Sequence, residues 1–108
     1  MLIPKTTRTR QGERGAIDRA AAEALALRGL AWIAGDDDRL MRFLGLTGTD
    51  LDALRARAAD PAFLGGVLDC LLGDEGWVIE FAGDAGLDPM LVAAARRQLP
   101  GAGQEDHS

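Results

Sequence analysis

A glycine and an aspartate recur together along this chain, at Gly35-Asp36, Gly48 with Asp50, Gly73-Asp74 and Gly86 with Asp88. This punctuation constrains the fold more than any other feature. Glycine accepts the left-handed turn that ends a helix. Aspartate accepts the unpaired amide hydrogens that begin the next one, and its charge favours the positive end of the helix dipole. Asp60-Pro61 adds a further start signal, an N-cap followed by a first-turn proline. The breaks divide the chain into helices over residues 17–34, 37–46, 49–58, 61–72, 74–85 and 89–99. No window alternates as a strand would, so the expectation is all-α, a compact bundle of five to six helices.

The punctuation also repeats. Under a shift of 38 residues, "GDDDRLMRFLGLTGTD" lies over "GDEGWVIEFAGDAGLD", with six identities in 16 positions. Composition alone would give about one or two. Gly35, Asp36, Phe43, Gly45, Gly48 and Asp50 match Gly73, Asp74, Phe81, Gly83, Gly86 and Asp88. Leu40 over Val78 and Met41 over Ile79 keep their apolar character. The pattern defines two three-helix units, residues 22–58 and 60–96, expected to bury each other's apolar faces around a pseudo-two-fold axis.

The aspartate triplet at residues 36–38 raises the question of a metal. Only its first member survives in the second copy, where Asp37 becomes Glu75 and Asp38 becomes Gly76. Leu40 and Thr47 stand where a calcium loop needs oxygen ligands. Helix capping explains the triplet, and neither metal nor cofactor is expected. Catalytic vocabulary is sparse as well. The chain has no Tyr or Asn, its only Ser is Ser108 and its only His is His107. Nucleophiles and bases are commonly drawn from these types, so a non-enzymatic protein is expected. Asp37, Asp38 and Glu75 remain the residues an enzyme would use.

Charge is uneven. Residues 1–15 hold Lys5, Arg8, Arg10 and Arg14 against Glu13, a basic flexible arm; the remainder is acidic and repels a nucleic-acid backbone. Residues 16–100 form the single helical domain and 101–108 a flexible polar tail. "FLGLTGTDLDALRARA" has helix-turn-helix spacing, with Arg55 and Arg57 on its second helix, yet Asp50 and Asp52 cancel them. A nucleic-acid-associated regulator using this corner and the arm is thus the alternative reading.

The first helix is apolar on many sides, through Leu25, Leu27, Leu30, Trp32 and Ile33, so it needs a ring of neighbours or a second chain. Arg28 within it calls for snorkelling or a carboxylate partner. Trp32, Phe43, Phe63, Val67 and Phe81 are the expected core, with Cys70 buried beside them. Close helix approach would account for Gly65, Gly66 and Gly83. A protein-binding patch, for an unidentified partner or a homodimer, is expected around Leu30, Trp32 and Leu46. With one cysteine, no apolar leader and no apolar run long enough to span a bilayer, a cytoplasmic location is expected.

The ordered segments "ALALRGLAWIAGDDDRLMRFLGLTG", "RARAADPAFLGGVLDCLLGDE" and "AGLDPMLVAAARRQLPG" resemble a bacterial family known only as a domain of unknown function, number 3572. The resemblance covers about residues 20–101. It implies a small all-helical bacterial protein and carries no activity, cofactor or site residue.

Overall fold

Six aspartates set the helix starts. Asp18, Asp36, Asp50, Asp60 and Asp74 each accept a backbone N–H of the first turn with the side chain, and Asp88 does so for Met90. The computed structural model describes residues 17–101. It contains α1 (Arg19–Ala34), α2 (Asp37–Thr47), α3 (Leu51–Arg57), α4 (Pro61–Leu72), α5 (Glu75–Ala85) and α6 (Met90–Arg97), with no strand among the described residues. The all-α expectation holds, and each expected break is present. The first helix starts two residues later than expected because Asp18 caps it. The last ends at Arg97, short of residue 99. The expected basic arm lies outside the described residues, as does all of the polar tail except Gly101.

The duplicated signals produce duplicated backbone. Gly48 and Gly86 are left-handed at φ 73° and 71°, while Gly35 and Gly73 both close their helices in the right-handed region. α2 and α5 have equal length, and each seats one phenylalanine, Phe43 or Phe81, in the core.

Packing follows this symmetry only in part. α1 lies against α2, α4 and α6 and touches α5, and α4 lies against α1, α5 and α6. This ring covers Ala22, Leu25, Ala26, Gly29, Leu30 and Ile33 without a second chain, while Leu27 on the outer side stays 44% exposed. At Gly29 a Cβ would stand 2.8 Å from Leu71 Cδ1, so the glycine lets α1 and α4 approach closely. α6 packs on both long helices, whereas α3 packs substantially on neither. The expected two-fold burial therefore stops at the third helix of each unit.

Phe43, Phe63, Val67 and Phe81 are buried as expected, but Trp32 and Cys70 are only half-buried at the edge of the core. Arg28 has no carboxylate partner among the described residues, and its head group is not free. Its Nη2 donates to the Ala85 carbonyl at 2.9 Å, occupying one of the last acceptors of α5. Close approach explains Gly65, where a Cβ would stand 2.7 Å from Arg96 Nη1 and 2.9 Å from the Pro100 oxygen. It does not explain Gly66 or Gly83, beside which the space is open.

Candidate protein-binding surface

α2 turns Phe43 inward, with Leu40 and Leu44 packed at the core's edge. The same helical period leaves Met41 and Leu46 outside, 67% and 62% exposed. Leu46 stands at one side of a cleft of about 300 Å³, whose walls also include Arg42, Cys70, Asp74 and Trp77.

The charged groups around this cleft are bound within the chain. Arg42 pairs with Asp74 at 2.9 Å and lies 5.1 Å from the Trp77 ring centroid. Asp69 accepts from Arg96 Nε at 2.6 Å and from Nη2 at 3.0 Å. Burial first, and the neighbouring Asp69 second, push the Cys70 thiol above its ordinary pKa. The thiol is therefore a weak nucleophile at neutral pH. Apart from these internal pairs, the cleft is walled by the exposed Leu46, the half-buried Cys70 and the edge of the buried Trp77.

Trp32 lines a second cleft of about 350 Å³, with Arg28, Ala31, Phe81, Asp84 and Ala85. The indole is held from several directions. Its Nε1 donates to Asp84 at 2.8 Å, and Arg39 stacks 3.9 Å from its ring centroid. Arg39 Nε and Nη2 also donate to the Trp32 carbonyl, at 3.1 and 2.7 Å, closing the end of α1. Trp77 meets the same ring edge-on at 5.9 Å.

The three residues expected to form one patch are thus separated. Leu46 is on the surface, Trp32 is a half-buried cleft wall and Leu30 is a core residue at 6% exposure. Leu30 has to be corrected. The neighbours of α1 close over it, leaving nothing for a partner to touch. Met41 is the other exposed apolar residue of α2, and its outward position follows from Leu40, Phe43 and Leu44 facing in.

Asp36 accepts from Arg39 N at 3.0 Å as the cap of α2, and Asp37 and Asp38 are exposed in its first turn. No three His, Cys, Asp or Glu side chains among the described residues gather where they could hold a metal ion. At the α2–α3 corner, Arg55 stands 3.9 Å from Asp52, and Arg57 covers the Phe63 ring at 5.3 Å.

Residues 19–102 match the family described as protein of unknown function (DUF3572). The chain belongs to that family. The match takes in all six helices and both clefts, so the duplicated unit and the surface above it lie within the shared domain. No curated protein and no solved structure matches the chain. No helix of the described residues is long and apolar enough to cross a membrane.

Proposed function

We propose that this protein acts in the cytoplasm as a non-catalytic binding module, and that it takes a protein partner on the outer side of α2. The supporting observation is the exposed Leu46 side chain at a cleft whose charged walls are already paired internally, with Met41 exposed elsewhere on the same helix. A helix or loop from the partner would bury Leu46 without stripping water from an unpaired charge. The core keeps its own ring of helices, so binding requires no unfolding.

The test is quantitative capture from the source cell with three baits: the wild-type chain, Leu46→Asp and Met90→Asp. Met90 is exposed elsewhere and serves as the control. A partner retained by wild type and Met90→Asp but lost by Leu46→Asp supports the reading. A partner indifferent to Leu46→Asp removes α2 as the site. Light scattering on the same proteins reads self-association, which Leu46→Asp would abolish if the partner were a second copy. Recovery of nucleic acid with wild-type bait, insensitive to Leu46→Asp, would favour the regulator reading instead.

A further inference from the structure

The outward face of α5 differs in charge from the rest of the molecule. Residues 73–95 contain Asp74, Glu75, Glu80, Asp84 and Asp88 and no Lys or Arg. α1, α2 and α3 all interleave acids with arginines. Three of these carboxylates have work within the fold. Asp74 caps α5 and pairs with Arg42, Asp84 accepts from Trp32, and Asp88 caps the turn into α6. Glu75 and Glu80 are exposed and enter no ion pair among the described residues. Between and around them lie Gly76, Ile79 and Gly83, one turn apart on the exposed side. Ile79 is 54% exposed, and a Cβ at Gly83 would meet nothing within 4 Å. The face therefore presents Ile79 between two glycines, flanked by carboxylates that enter no ion pair among the described residues.

The chain carries the matching segment itself. Its first residues, Met1, Leu2 and Ile3, are apolar, and Lys5, Arg8, Arg10 and Arg14 follow with only Glu13 opposed. This segment joins the fold at Ile17, just before α1. From Ile17 to Arg28 is about 16 Å along the helix, and Arg28 already touches the end of α5. The stretch from Lys5 to Ile17 spans up to ~40 Å when extended. The arm is thus long enough to lie along α5 of its own chain, and tethering gives it an effective concentration of order millimolar.

We propose that the basic arm docks in cis on the outward face of α5, with its apolar head on Ile79 and its cations beside Glu75 and Glu80. The contact is electrostatic and exposed, so salt loosens it. It covers α5 and leaves the α2 surface free, and it does not depend on the partner-binding reading.

Lys5 is the only lysine in the chain, which makes the test specific. Zero-length carbodiimide coupling of the full-length protein at low salt, followed by peptide mass spectrometry, joins Lys5 only to carboxylates in direct contact. The expected products have monomer mass and link Lys5 to Glu75, Glu80 or Asp84. Their yield falls several-fold in 1 M NaCl. Glu80→Gln lowers the yield at Glu75 and Asp84 too, whereas Leu46→Asp leaves all of them unchanged. Links scattered over Asp18, Asp37 and Asp52, or no links at all, would overturn the proposal. So would links found only between chains in a mixture of ¹⁴N and ¹⁵N protein, which would move the arm to a second copy.

Discussion

α3 and α6 are the third helices of the two units, and they begin alike but end differently. Each follows a left-handed glycine, Gly48 or Gly86, and each has an aspartate, Asp50 or Asp88, bonded to a first-turn amide. α3 then buries only Leu54 and keeps Leu51, Arg55 and Arg57 exposed. α6 buries Val92, Ala94, Ala95 and Arg96, and Leu99 follows it into the core. Small residues let α6 lie close on α1 and α4. The Arg96 guanidinium ties it further, to Asp69 on α4 and to the carbonyls of Leu99 and Pro100. Cap chemistry decides where a helix starts and stops. Side-chain size and pairing decide whether it joins the core.

This comparison can be broken most forcefully at the phenylalanines the units share. Phe43 and Phe81 are equally buried, at 1% exposure, so Phe43→Ala and Phe81→Ala should each cost about 3–5 kcal/mol in denaturant unfolding. A Phe43→Ala cost near 1 kcal/mol would show that the first unit contributes far less to the core than its burial implies.

Next comes the arginine that distinguishes α6. Arg96→Ala should cost about 2 kcal/mol. It loses charge-assisted bonds, but the exposed side of Asp69 remains hydrated, so the penalty stays below that of a fully buried pair. Arg55→Ala on α3 should cost less than about 0.5 kcal/mol, because the Arg55–Asp52 pair is exposed. Equal costs would remove the distinction between the two helices.

Adjacent glycines on α4 sharpen it further. Gly65→Ala should destabilise, since its methyl group would collide with Arg96 and the Pro100 carbonyl. Gly66→Ala should stabilise by about 0.5–1 kcal/mol, because the space there is open and alanine favours the helix. Thermal unfolding of the two variants should therefore move in opposite directions. A gain at Gly65 would mean that Arg96 is not held where it stands.

The smallest effect is a pH dependence. Burial, with Asp69 beside it, raises the Cys70 thiol above its ordinary pKa, so the unfolded chain ionises first as pH rises. Folded stability should then decline slightly on passing upward through the ordinary thiol range, and this slope should vanish in Cys70→Ala. Labelling of Cys70 by a thiol reagent near pH 7.5 should be slower in the folded protein than after denaturation. Equal rates would contradict the half-buried, proton-retaining thiol.

Helix positions were legible in the sequence because a cap is local: Asp36 and Arg39 N are three residues apart. Which side of a helix is covered was less legible. Leu30 and Leu46 are the same residue type, yet one faces the ring of helices around α1 and the other faces out, and only the neighbours decide that. In the sequence nothing sets Arg96 apart from Arg97 beside it at the helix end. Its burial depends on Asp69, 27 residues earlier, and on the space left by Gly65. Exposure was half legible for the same reason: Leu46 faces out, Leu30 is covered, and Met41 is exposed because Leu40, Phe43 and Leu44 face in.

Native-state hydrogen exchange reads whether the two units, which share their caps, also share their anchoring. Amides at the end of α6, including Arg96 and Arg97, should exchange only through openings close to global unfolding. Those at the end of α3, including Leu54 and Arg57, should exchange through local opening at a much lower free energy. Equal protection of α3 and α6, with both lost in a single global transition, would contradict the account.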